Sequence, residues 1–264
     1  MNARSFSLEP AYVLHPRPFR DTSLIVEAFT ANHGRQALVA RGARRPKSRQ
    51  RPLLQGFRPL LLSWRAGGEM GTLTAVEGRG QPRFLRGDAL MAGFYLNELL
   101  LRLLQRGDPH PGLFATYDDS LTRLEAAGHA GLGPVLRGFE KRLLDELGVG
   151  LPLDGRTVTG EALEPTARYH FDPEAGARPA SAESPGTVSG ATLLALAEER
   201  LDNETVLAES RRLLARALER ELGGRELLTR QVLQALRRRG LLGLGSAGPS
   251  DPDASQRDDD NGRA

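Results

Sequence analysis

The chain contains no cysteine. Disulfides, thiol catalysis and cysteine-ligated zinc are therefore excluded, which suits a reducing cytoplasm. Lysine is almost as rare: Lys47 and Lys141 are the only two, so nearly all the positive charge is arginine. No window approaches the roughly 18 uninterrupted apolar residues that a membrane helix needs. The opening MNARSFSLEP has no apolar run of the signal-peptide kind. A soluble, cytoplasmic protein is expected.

Catalytic constellations are also missing. The histidines (His15, His33, His110, His129 and His170) are scattered, with no ligand spacing such as HxxxH. There is no Walker loop and no GxSxG elbow. Asp118 and Asp119 fall on an expected helix, where adjacent acids point to different faces and are read as solvated. Asp258–Asp260 lie in a Gly/Ser/Pro/Asp-rich end, 246–264, that carries no large apolar residue and is expected to be disordered. No residue is nominated as catalytic or metal-binding, no cofactor is expected, and the protein is read as a binder rather than an enzyme.

What the sequence does have is charge in one place. The net charge is only +3. Yet residues 1–65 hold twelve Arg/Lys against Glu9, Asp21 and Glu27, leaving the rest of the chain net acidic. The densest part is Arg41-Gly-Ala-Arg-Arg-Pro-Lys-Ser-Arg-Gln-Arg51, with six positive charges and no acid. Gly42, Pro46 and Ser48 rule out a regular amphipathic helix there. A flexible basic loop of this kind can follow a phosphate backbone, because arginine forks match phosphate oxygens. Arg17, Arg20, Arg35, Arg58 and Arg65 would widen the patch if they face outward. Aromatic stacking platforms would add single-strand preference. Of Phe19, Phe29, Phe57 and Trp64, strand periodicity assigns Phe29 and Phe57 to the core and leaves Phe19, beside Pro18 and Arg20, as the best candidate.

The basic loop sits within a β-rich stretch. Strands are expected at Tyr12–Arg17 (ending at a proline), Ser23–Thr30, Arg35–Arg41, Phe57–Trp64 and Gly71–Val76, with turn signals at Asn32-His33-Gly34 and Gly67-Gly68. Five short strands with one long loop after the third suit an OB-type barrel, and an SH3-like barrel fits the count almost as well. Helices follow. Asp88 is read as the N-cap of Ala89–Arg106, whose Leu90, Phe94, Leu101 and Leu104 form one face extended by Tyr95, Leu99 and Leu103. Leu113, Phe114, Tyr117, Leu121 and Leu124 mark a second helix. Val135, Leu136, Phe139, Leu143 and Leu147 mark a third, stopped by Gly148. Residues 149–187 read as an irregular insert with a short hairpin near Arg168–Phe171. Helices resume at Ser189–Arg200, Glu204–Leu222 and Arg225–Arg239. The expected fold is α+β and two-lobed: an OB-type barrel over 1–82, then a helical domain over 83–245.

These segments resemble RecO, the family of bacterial recombination mediators. The resemblance is carried by AYVLHPRPFRDTSLIVEAFTANHGRQALVARGARRPKSR, LLQGFRPLLLSW, GFYLNELLLRLLQRGDPHPGLFATY, LRGFEKRLLDELG and LGGRELLTRQVLQALR, in that order. It implies an OB-fold followed by a helical domain. It also implies binding of single- and double-stranded DNA, annealing of complementary strands, and help in loading the RecA recombinase onto DNA coated by single-stranded DNA-binding protein (SSB). RecR and the acidic C-terminal tail of SSB are the implied partners, and the implied location is nucleoid-associated. The family's DNA contacts carry over onto Arg35, Arg41, Arg44, Arg45, Lys47 and Arg49, with Arg51 closing the same loop. Its tail-docking helix carries over onto Leu136-Arg137-Gly138-Phe139-Glu140, making Arg137 and then Arg142 the candidate cations. One departure is clear. Many members hold a structural zinc with four cysteines near the region matching 149–187; this chain has none, so no zinc is expected. An OB-fold RNA-binding or translation-associated module remains the alternative, and a nucleic-acid enzyme a more distant one.

Overall fold

The computed structural model describes residues 4–128, 131–181 and 184–232. Segments rich in β-branched and apolar residues between turn signals build five strands: β1 (Ser5–Phe19), β2 (Ser23–Thr30), β3 (Gly34–Ala40), β4 (Leu60–Arg65) and β5 (Gly71–Gly78). They close in the order β1-β2-β3-β5-β4, with β3 and β5 parallel and the other pairs antiparallel. Inside lie Val13, Val26, Ala28, Leu38, Leu60, Leu62 and Trp64. This closed five-stranded barrel with its long β3–β4 loop is the OB type.

The first strand is much longer than its prolines suggest. β1 pairs with β4 through Ser5–Ala11 and with β2 through Ala11–Phe19. Pro16 and Pro18 therefore lie where the strand has a neighbour strand on one side only, and their missing N–H groups leave no ladder bond unmade. β4, by contrast, starts late: Phe57 has φ +63°, a left-handed conformation that ordinary strand pairing does not allow.

The helical part begins with α1 (Gly87–Leu103), α2 (Pro111–Ala126) and α3 (Leu132–Glu146). Asp88 is not the N-cap of α1. That position is Arg86, which makes no side-chain cap, and Asp88 lies inside the first turn, where its negative charge meets the positive end of the helix dipole favourably. The buried face of α1 is also rotated from the expected one. Ala92, Gly93, Leu96, Asn97, Leu99 and Leu100 are buried, whereas Phe94 is 44 % exposed. The apolar stripe is so broad that periodicity alone does not choose the inward side. On α2, Leu113, Phe114, Tyr117, Leu121 and Leu124 are all buried, as their spacing demands.

The insert is more regular than its composition implies. β6 (Arg168–Asp172) and β7 (Gly176–Ala180) form a hairpin, and β8 (Val188–Ser189) joins it in the order β7-β6-β8. α4 (Gly190–Ala197) is capped by Ser189, whose Oγ accepts from the Thr192 N–H at 3.1 Å. α5 (Glu204–Glu221) is capped by Asn203, which accepts from the N–H groups of Thr205 and Val206. Glu209 on α5 ties the insert down. Its carboxylate accepts from Arg168 Nη1 (2.6 Å), Ser189 N–H and Oγ (2.9 Å each) and Thr192 Oγ1 (2.6 Å). Burial pushes this carboxyl up, but the bonds from Thr192, Ser189 and Arg168 outweigh it and hold the pKa at about 2.

The last helix begins later than expected, over 228–232, where Glu98 of α1 accepts from the N–H groups of Leu228 and Thr229 at 2.8 Å each. The remainder of that expected helix, the 246–264 end with Asp258–Asp260, and His129 lie outside the described residues.

Barrel and helices share one seam. Tyr12, Leu14, Phe29 and Phe57 belong to the same apolar cluster as Leu96, Leu100, Phe114 and Tyr117. Asn97 donates to the Leu14 carbonyl (3.0 Å) and accepts from the Tyr117 hydroxyl (2.5 Å). Gly34 meets the α1–α2 connection so closely that a Cβ there would lie 1.9 Å from the Asp108 carbonyl oxygen, and its φ is +64°.

Candidate nucleic-acid interface

The basic loop leaves the barrel at Ala40 and turns at once. Gly42 supplies φ +69°, which a side-chain-bearing residue rarely adopts. The Arg45 N–H then returns to the Gly42 carbonyl (3.1 Å) and the Ser48 N–H to the Arg45 carbonyl (3.0 Å). Two apolar residues anchor the stretch: Ala43 is fully buried in the barrel core, and Leu54 nearly so. A backbone bond from Arg44 N–H to the Thr22 carbonyl (2.8 Å) fixes it against the β1–β2 turn. The expected flexible loop is instead a chain of turns pinned at both ends.

This anchoring points the charges outward. Arg41, Arg44, Arg45, Lys47, Arg49 and Arg51 are all exposed. Arg44 also donates to the carbonyls of Arg20 and Asp21 (3.2 and 3.4 Å), so its guanidinium is held in place. Arg17 and Arg20 are exposed near the same turn, and Arg20 covers the face of the half-buried Phe19 ring at 5.1 Å. That cover takes up one face of the Phe19 ring. Phe29, Phe57 and Trp64 are buried.

Arg35 is placed differently. Its Nη1 pairs with the buried Glu27 (3.0 Å) and its Nε donates to the Leu104 carbonyl (3.1 Å), while Arg106 reaches Glu27 from the helical side. Arg35 is a seam residue, and the loop arginines do not include it. Asp118, read as solvated, also lies on the seam: it accepts from the Tyr12 hydroxyl and pairs with Arg83 at 3.2 Å. Asp119 stays exposed, beside Arg123 at 3.6 Å.

The two candidates on α3 separate in the same way. Arg137 is 8 % exposed and pairs with buried Glu140, which also accepts from Tyr95 at 2.7 Å. Burial and the nearby Glu140 carboxylate push the Tyr95 hydroxyl well above its ordinary range. Arg142 is exposed and pairs with Glu146 at 2.8 Å. Phe139 is core. Sequence reasoning missed Glu27, Glu98 and Glu209. All three are acids that look like surface charge until the fold brings their partners to them.

An OB-type barrel bearing an outward arginine loop, fused to a helical body, defines a protein of the OB class. Comparison with known proteins narrows this further. Residues 5–81 match the family model Recombination protein O N terminal, and residues 85–231 match Recombination protein O C terminal. A DNA repair protein RecO from Azoarcus sp. is 46 % identical over 239 residues, covering 86 % of this chain and 95 % of that protein. Another from Burkholderia lata is 48 % identical over 228 residues, covering 85 % and 81 %. A third, from Thiobacillus denitrificans, is 45 % identical over 235 residues, covering 86 % and 91 %. The chain belongs to the RecO family of DNA repair proteins. No described helix is long and apolar enough to cross a membrane.

Proposed function

We propose that this chain is a non-enzymatic recombination mediator that binds single- and double-stranded DNA through the Arg41–Arg51 loop and anneals complementary strands. Working with RecR, it helps load RecA onto SSB-coated DNA. The observation that carries the reading is the outward set Arg41, Arg44, Arg45, Lys47, Arg49 and Arg51 on a pinned loop of an OB barrel. Two DNA strands repel through their phosphates, and condensed counterions must leave when a protein replaces them. A cluster of cationic side chains on a pinned backbone screens that repulsion, and base pairing then supplies the driving force for annealing. No bond is made or broken by the protein.

The functional division we propose is a DNA-binding barrel over 1–82 and a helical docking domain over 83–245. Within the latter, Arg142 is the accessible cation for the acidic SSB tail, and Arg137 supports the docking helix from inside through Glu140. The test is annealing of SSB-coated complementary oligonucleotides. Acceleration by the wild type that is lost on replacing Arg44, Arg45 and Lys47 with Ala supports the reading. No acceleration, or strong selectivity for RNA over matched DNA, overturns it.

A further inference from the structure

The stacking candidates read from the sequence are buried or covered, yet an open aromatic ring does exist. It lies in the segment Arg79-Gly-Gln-Pro-Arg-Phe-Leu-Arg86, which joins the barrel to α1. Phe84 there is 67 % exposed, more than any other large apolar side chain among the described residues. A solvent-facing phenylalanine is ordinary where the local chain is loose. This chain is not loose.

Five contacts hold the segment. The Arg79 N–H donates to the Pro59 carbonyl (2.9 Å), and the Arg83 N–H to the Phe57 carbonyl (3.0 Å). The Phe84 N–H donates to Glu125 on α2 at 2.7 Å. Leu85, next to the open ring, is 7 % exposed and anchored in the seam cluster. Arg83 adds its ion pair with Asp118. The backbone on both sides of Phe84 is thus fixed while its ring faces water.

The segment's own charges are cationic, although Glu125 accepts from the Phe84 N–H and Asp118 neutralises Arg83. The segment has three arginines and no acid, and Arg79 and Arg86 are exposed. Both backbone bonds to the barrel go to the stretch that continues directly from the basic loop, just before β4. A second ring, Phe94, is 44 % exposed and packs on Phe57 at 5.2 Å between centroids.

We propose that Phe84 is a base-stacking platform for single-stranded nucleic acid, with Arg79 and Arg86 as its flanking phosphate contacts. This rests on the proposed DNA-binding reading and adds a division of labour to it. The loop carries backbone charge, which duplex and single strand share. A flat ring engages only an unpaired base, because bases in a duplex already stack on each other. A polyanion with exposed bases satisfies ring and charge together, which a purely apolar surface does not.

The experiment measures binding of a single-stranded oligonucleotide and a matched duplex across salt, for wild type, Phe84→Ala, Phe84→Trp and the loop variant Arg44→Ala/Arg45→Ala/Lys47→Ala. Removing one stacked base contact costs about 1–3 kcal/mol, roughly 5- to 150-fold. Phe84→Ala is expected to lose at least about 5-fold on the single strand and nothing on the duplex, with the salt slope unchanged. Phe84→Trp retains affinity, and its added fluorescence is quenched by the oligonucleotide; the same titration of wild type, which holds Trp64, gives the background. Equal single-strand affinity for wild type and Phe84→Ala overturns the stacking role while leaving the loop's role standing. An equal loss on both substrates also overturns it. Failure of wild type to bind any DNA overturns both readings.

Discussion

Arg35 on the third strand reaches diagonally to Glu27 on the second, with Nη1 3.0 Å from Oε2 and both side chains largely withdrawn from solvent. Glu27 is shared with Arg106 from the helical part, so the acid sits between one cation from each lobe. Removing one partner of a buried pair leaves the other uncompensated and costs about 3–5 kcal/mol. Glu27 keeps Arg106, so Arg35→Ala should lower stability in urea by less than that, by about 1–3 kcal/mol. Its DNA-binding salt slope should match that of wild type. A shallower slope with unchanged stability would return Arg35 to the phosphate-contacting set.

The loop residues should show the opposite signature. Each phosphate contact to a single strand contributes about −0.7 to the slope of log affinity against log salt. Replacing Arg44, Arg45 and Lys47 with Ala is expected to flatten that slope by about 2, while the urea midpoint stays within experimental error. The two measurements on the two variants separate charge that binds from charge that builds.

Glu209 gives a pH-dependent prediction. Its folded pKa of about 2 lies below the ordinary carboxylate value of 4.5, so folding favours the ionised form. The stability it contributes is complete above the unfolded value and drains away as pH falls from 4.5 toward 2. Glu209→Gln keeps the size but loses the charge that Arg168 meets. It should unfold more readily than wild type at pH 7, and the gap should close as the pH is lowered through that window. A gap independent of pH would mean that the carboxylate's charge does not hold the insert.

On α3, titration of the SSB tail peptide distinguishes the two arginines. Arg142→Ala is expected to weaken binding several-fold with little effect on melting temperature. Arg137→Ala is expected to lower melting temperature, because it leaves Glu140 without its guanidinium partner. Any loss of peptide affinity in that variant should track the loss of fold. Unchanged affinity in Arg142→Ala would remove this residue from the docking site.

Much of the fold is written in local patterns. The run of β-forming residues in Ser23–Thr30, bounded by a turn signal, and the spacing of Leu113, Tyr117, Leu121 and Leu124 each point to one element type, and each gives it. The arginine loop is legible for the same reason, since its charge density needs no tertiary context. What is not legible depends on neighbours distant in sequence. Arg35 looks like one more cation until Glu27 and the Leu104 carbonyl arrive. Phe84 looks like a core residue beside Leu85, and only the fold reveals that one is buried and the other bare. Pro16 and Pro18 signal a strand end in a local window, but β1 passes through them because that edge has no neighbour strand to satisfy.

The shared seam has a practical consequence. Tyr12, Leu14, Phe29 and Phe57 are covered by helix residues, and Gly34 is fitted against Asp108 at atomic contact. A fragment cut after residue 81 would present those aromatic and aliphatic groups to water, with Glu27 stripped of Arg106. Such a fragment is a poor surrogate for the whole molecule in any binding assay. The barrel's missing wall belongs to the rest of the chain, and interpretable mutations are those made in the intact protein.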